Sequence, residues 1–129
     1  MANKLILKNT RRQAAVVVNG TGTATINIYE LAYPDQTITT ANLQLTITDL
    51  VYDVQTASTI MRNGNLIFSM GVGSGEFNLT DSLGVVLNDK ANANVDINLG
   101  ASNGTVILQF TKGDGYNDPN RQNQGPGSL

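Results

Sequence analysis

Thr59-Ile60-Met61-Arg62-Asn63-Gly64-Asn65-Leu66-Ile67-Phe68 decides the fold. Two β-prone runs flank an Asn-Gly step, and Asn and Gly both tolerate the positive φ of a tight type I′ turn. The stretch therefore reads as a β-hairpin. The same step recurs at Asn19-Gly20 and Asn103-Gly104, again beside runs rich in Val, Ile, Leu and Thr. Each of the three is expected to fold a strand back on its neighbour.

Working outward, Thr23 to Tyr29 alternates, with Ala24, Ile26 and Ile28 on one side and Thr23, Thr25 and Asn27 on the other. Leu43, Leu45 and Ile47 repeat that period of two, which places one face on a core and one in water. Leu50 to Val54 follows Asp49 through an expected bulge. The β-branched triplet Val16-Val17-Val18 predicts a strand buried on both faces. Val95, Ile97 and Leu99 alternate with Asp96 and Asn98, and Thr105 to Thr111 is expected to return as a second hairpin. Gly71-Val72-Gly73-Ser74-Gly75 reads as a flexible loop, with short strands expected at Phe77 to Leu79 and Val85 to Leu87. The segment most able to be helical is Asp81 to Ala93. Many short strands joined by turns predict an all-β fold: an antiparallel β-sandwich, jelly-roll-like, or a small barrel. Three regions are expected: residues 1–12 as a basic arm or first strand, 13–112 as the sandwich, and 113–129 as a polar, disordered or extended tail.

The chain has 129 residues, enough for one domain. Apolar residues make up 40% but aromatics only 5%, so aliphatic side chains must fill the interior. Charged residues are 14%, about half of the ~25% usual in soluble domains. A surface so poor in charge can meet protein neighbours with little desolvation cost. The net charge of −2 is unevenly placed. Lys4, Lys8, Arg11 and Arg12 fall in the first twelve residues with no acid among them, on an otherwise acidic chain. That pattern fits contact with an acidic surface, or an edge strand guarded by cations. Together with Tyr116 and Arg121 these four are the candidate partner-binding residues. There is no Cys, and no apolar run reaches the ~18 residues of a membrane-spanning helix. The chain is expected to be made and used without export and to have no membrane partner.

Reactive chemistry finds little support. The sequence has no His, which removes the commonest general base and the favoured zinc ligand. Glu30 and Glu76 are the only glutamates, and nothing in the spacing pairs them for glycoside chemistry. Gly71-x-Gly73-x-Gly75 resembles a phosphate loop, yet Glu76 to Thr80 reads as strand where a helix is needed. Asn92, Asn94 and Asp96, and Asp114, Asn117 and Asp118, offer oxygens to calcium without a bidentate Glu. The basic arm lacks interleaved aromatics, which argues against nucleic acid. No enzyme, cofactor or metal site is expected. A sugar platform would have to draw on Tyr29, Tyr33, Tyr52 and Tyr116.

The opening Met1-Ala2-Asn3-Lys4-Leu5-Ile6-Leu7-Lys8, with the Asn/Thr/Gly-rich, Cys-free and His-free composition, resembles small structural proteins of tailed bacteriophages, particularly cyanophages. The resemblance implies a virion protein, made in the host cytoplasm. On that reading the chain is a capsid decoration or cement protein that binds the major capsid protein or another virion protein, as a homo-oligomer. Its arm and tail would order on contact with adjacent subunits. The alternatives are a neck, tail or fibre-associated protein, or a carbohydrate-binding module for host attachment.

Overall fold

The computed structural model describes residues 2–78, 92–113 and 115–118. Every strand pairing among the described residues is antiparallel. In order it forms β1 (Asn3–Asn9), β2 (Gln13–Gly20), β3 (Thr23–Ile26), β4 (Thr37–Ile38), β5 (Leu45–Val54), β6 (Ser58–Arg62), β7 (Asn65–Met70), β8 (Gly73–Asn78), β9 (Val95–Asn98), β10 (Gly104–Lys112) and β11 (Tyr116–Asn117). One sheet runs β1-β2-β10-β5-β8, a second runs β3-β9-β6-β7, and β4 pairs with β11 alone.

These pairings are nested. β6 pairs with β7, β5 with β8, β3 with β9 and β2 with β10. These eight strands are thus one long hairpin, rolled so that its arms alternate between two facing sheets. This is the jelly-roll arrangement of a β-sandwich. The tip is the β6–β7 turn. Asn63 and Gly64 both have positive φ, at 51° and 77°, as the sequence requires.

The other two Asn-Gly steps do different work. Asn19-Gly20 ends β2, and Asn103-Gly104 leads into β10. Both lie where the chain passes from one sheet to the other. Leu99 and Gly100 bond to Gly22 across the gap, so the two corners are tied together. Accordingly β9 pairs with β3 and β6, and the expected hairpin from β9 into Thr105–Thr111 does not form. A turn residue reports a change of direction, not which strand lies alongside.

The alternation holds. Ala14, Val16 and Val18 of β2 and Val106, Leu108 and Phe110 of β10 point into one core with Leu45, Ile47, Leu50, Ile60 and Ile97. Val17 is only half-buried, so the Val triplet covers the core with one face and not two. The bulge expected near Asp49 is present: the register slips between Gln109 and Phe110 opposite Asp49 and Ile47. Thr23 to Tyr29 is strand only to Ile26. Asn27 then caps a 3-10 turn at Ile28–Leu31, accepting from Tyr29 N while Glu30 bonds back to Asn27 N.

Two segments differ from expectation for packing reasons. Gly73–Asn78 is a strand on β5, not a loop, because Gly75 lies opposite Tyr52. A Cβ on Gly75 would stand 2.7 Å from the Tyr52 Oη, so only glycine lets the ring pack there. Tyr52, Phe77 and Phe68 then stack edge and face along the β7–β8 margin, with centroids 6.3 and 5.2 Å apart. The start of the tail is extended and docked: Tyr116 pairs with Ile38 and is buried, as is Asp118. Asp81 to Ala93, weighed as the segment most able to be helical, the strand expected at Val85 to Leu87 and most of the tail fall largely or wholly outside the described residues.

The turn assignments lead to a direct contrast. Gly64→Ala places a side chain at positive φ and should cost about 1–2 kcal/mol. Gly71→Ala, where a Cβ meets nothing within 4 Å, should change stability by less than about 0.5 kcal/mol. Equilibrium urea unfolding of the two variants reads the difference.

Candidate functional site

The outer face of the five-stranded sheet carries the candidate site. Leu5 lies opposite Val17, Val17 opposite Ile107, Ile107 opposite Val51, and Val51 opposite Glu76. Four apolar side chains therefore cross the sheet in one row, ending at an acid. Leu5 is 60% exposed, Val51 38%, and Leu7, at the β1 bulge, 54%. The neighbouring rows are polar. One runs Asn3, Asn19, Thr105, Asp53, Ser74, and the other Lys8, Ala15, Gln109, Asp49, Asn78. Apolar residues on the water side of a sheet break the usual inside-outside alternation, and a contiguous patch of them marks a contact surface.

At the β5–β8 side the row deepens into an open cleft of about 400 Å³ lined by Val51, Asp53, Ser74, Glu76, Thr105 and Ile107. Its floor is aliphatic and its walls carry two carboxylates and two hydroxyls. A second, polar depression around Asn19, Gln55 and Asn103 shares Asp53 and Thr105 with it. Among the described residues no cation pairs with Asp49, Asp53 or Glu76. Lys8, at the opposite side of the same face, donates to the Gln13 side chain. The face is thus polarised, cationic at β1 and acidic at β5 and β8.

The interior holds a second polar group, used for structure. Arg62 is fully buried and donates to the carbonyls of Leu45 and Ala93 at 2.8 and 2.9 Å. Lys112 is buried and donates to Asn9 Oδ1 and Thr10 O, with its amine 5.4 Å from the Tyr116 ring centre. Tyr116 donates its hydroxyl to Ile28 O. Asp118 accepts from Arg11 and from Gln36, while Arg11 also grips Asp35 with two bonds of 2.6 Å. These contacts tie the first turn, β4, the end of β10 and the docked segment into one plug. Burial pushes Arg62 down to about 10 and the Tyr116 phenol up. The Asp35 carboxyl is held low by its hydrogen bonds from Arg11.

The residues proposed from sequence divide accordingly. Lys4 is spent on Glu30 and Thr25 O, Arg11 on Asp35 and Asp118, and Tyr116 on the plug. Lys8 and Arg12 remain at the surface. Arg121 lies outside the described residues. Val51, Asp53 and Ile107 were missed, and Glu76 was weighed only as half of a carboxylate pair with Glu30, because a row across strands has no signature along the chain. Of the oxygens weighed for calcium, Asn94 accepts from Ile28 N, Asp96 from Thr25, and Asp118 from Arg11, and Asp114 lies outside the described residues. Among the described residues no three His, Cys, Asp or Glu side chains converge as a metal site. Glu30 and Glu76 belong to different elements, one at the capped turn after β3 and the other on β8. The tyrosines form no common platform: Tyr29 is exposed, Tyr33 lies under Arg11, Tyr52 packs on Phe77 and Tyr116 is buried.

No protein-family model matches the chain, and no curated protein matches its sequence. Similar solved structures include two that are cupins by name. KdgF from Halomonas sp. is 15% identical, with a TM-score of 0.39 over 85% of this chain and 79% of that one. A cupin superfamily protein from Desulfitobacterium hafniense is 11% identical, with a TM-score of 0.38 over 88% and 79%. An RmlC-like cupin from Shewanella frigidimarina is 10% identical, with a TM-score of 0.40 over 88% and 78%. At these values the likeness assigns no chemistry. None of the three is described as a virion protein, and the expectation of a capsid decoration protein, with its neck, tail, fibre and host-attachment alternatives, is corrected on that finding. The physical reason agrees. The arm that role needed loose is already paired with β2 over Asn3–Asn9, and the start of the tail is docked beside Arg11.

The plug has a pH signature. Burial lowers the Lys112 amine from 10.5 to about 8. Between those values the unfolded chain holds a proton that the folded chain has released, so stability from this group rises with pH. Urea midpoints should climb between pH 7.5 and 9.5, and Lys112→Met should flatten that climb.

Proposed function

We propose that this domain acts by non-covalent recognition through the outer face of its five-stranded sheet. The ligand it suits combines an extended apolar body with a cationic group. The observation that carries this reading is the register itself: Val17, Ile107 and Val51 stand in one row that ends between carboxylates at Asp53 and Glu76, which pair with no cation among the described residues. The aliphatic row supplies affinity in proportion to the area it removes from water. The carboxylates supply orientation, because a cation seated there gains two partners while an anion meets repulsion. The shallow, open form suits a side chain or extended segment lying across strands. Such a site works by complementarity and asks for no nucleophile or general base.

The test uses hexylammonium and hexanoate, which share a chain length and differ in charge. Titrated into isotopically labelled protein, hexylammonium should shift the amides of Val51, Asp53, Glu76 and Ile107, with affinity in the ~millimolar range expected of so small a probe. Hexanoate should bind at least about fivefold more weakly, and Asp53→Asn with Glu76→Gln should erase the preference. Shifts that fall elsewhere, or equal binding of the two probes, would overturn the reading.

A further inference from the structure

Resting on that reading, we propose that the occupant of the outer face is β1 of a second copy of this chain, in a closed two-fold dimer of facing sheets. β1 has the chemistry the cleft selects. It exposes Leu5 and Leu7 and follows them at once with Lys8, whose side chain lies on the outer side with Gln13. The cleft offers Val51 and Ile107 as floor and Asp53 and Glu76 as walls. Knob and hole sit at opposite margins of one sheet, so each copy can supply both.

The order of strands selects the symmetry axis. In β1-β2-β10-β5-β8 the middle strand is β10. A two-fold axis along β10, midway between the sheets, sets β1 of each copy over β8 of the other, β2 over β5 and β10 over itself. Leu5 then falls beside Glu76 and Val51 of the other copy, Ile107 meets its own counterpart at the axis, and Lys8 comes over Asn78 of β8, with Asp49 and Glu76 as its flanking acids. Every apolar residue of the row is covered and each cation faces acids. A two-fold axis perpendicular to the strands would instead stack β1 on β1 and β8 on β8, setting Lys8 against Lys8 and carboxylate against carboxylate. Like charges brought together this way cost several kcal/mol, so charge excludes that packing. An interface in which the same patch appears on both sides closes and does not propagate.

Sedimentation velocity across a hundredfold concentration range tests the association. The wild type should pass from monomer to dimer. Ile107→Lys, which places two cations at the axis, should weaken association at least about tenfold while leaving the circular dichroism spectrum unchanged. Lys8→Glu and Glu76→Lys should each weaken it, and the double variant should recover most of the loss. The chain has no cysteine, which makes placement readable by crosslinking. Facing sheets stand about 10 Å apart, too far for a disulfide and within reach of a short bismaleimide. Leu5→Cys with Glu76→Cys should crosslink between copies, and Ile107→Cys should crosslink to itself, whereas Leu5→Cys alone should not. A wild type that stays monomeric throughout, or Leu5→Cys that links to itself, overturns the dimer. If the monomer still binds hexylammonium at Val51, Asp53, Glu76 and Ile107, recognition stands and only the choice of occupant falls. If neither occurs, both fall. Should the dimer form as described, hexylammonium will disperse it.

Discussion

The pairing of β2 with β10 is the constraint on which the remainder rests. Eight residues of each run in unbroken register from Gly104 opposite Gly20 to Thr111 opposite Gln13. It is the outermost closure of the rolled hairpin and joins parts of the chain far apart in sequence. Closing so long a loop costs entropy that grows only slowly with length, and each ladder bond and buried pair along it offsets that cost. The register is held by burial. A slip of one residue would turn Val106, Leu108 and Phe110 out to water and bring Thr105, Ile107 and Gln109 in. The same register fixes the outer face, since Val17 and Ile107 adjoin only because Val18 and Val106 adjoin beneath them.

The plugged end shows how the fold tolerates buried charge. Arg62 and Lys112 lie between the sheets, where isolated cations would be costly. Each is surrounded by oxygen acceptors, chiefly backbone carbonyls that would otherwise be left unbonded at strand ends. Strand termini in a sandwich create such carbonyls, and a long cationic side chain reaches several of them at once. The arrangement also consumes the basic residues that looked available in the sequence. Arg11 meets two carboxylates and Lys4 has Glu30, so half of the arm's positive charge is neutralised within the domain.

What could be read from the chain and what could not divides along a physical line. Alternation at Leu43, Leu45 and Ile47, the bulge after it and the type I′ turn at Asn63-Gly64 are local properties, and each was visible. Pairing partners are non-local. Asn103-Gly104 looks like Asn63-Gly64 in sequence, yet one leads a strand into the far sheet and the other folds it back, because only the core decides which sheet a strand joins. Tyr116 illustrates the same limit. It sits in a stretch of Gly, Asn and Asp with nothing beside it to bury, and it docks because Ile28 O and β4 wait for it elsewhere in the fold. The candidate site lies wholly on the non-local side. Leu5, Val17, Ile107, Val51 and Glu76 come from five separate strands, and no single strand contains two of them.

An exposed apolar row on a sheet poses a problem that the edges of this sheet help to solve. β1 is an edge strand with leucines in water, a combination that invites pairing with further chains. Lys4 and Lys8 flank those leucines, and the bulge between Ile6 and Lys8 bends the strand out of the flat form that edge-to-edge addition needs. Growth through the edge is therefore disfavoured, while the face stays open. The face is polarised, with its cation at one margin and its acids at the other, and that separation matters more than the net charge. A uniformly acidic face would repel its own copy. A mixed, unordered one would accept many orientations and specify none. With β10 at the centre and opposite charges at the two margins, one rotation satisfies every pair at once, and it closes after two copies because no part of the row remains to receive a third.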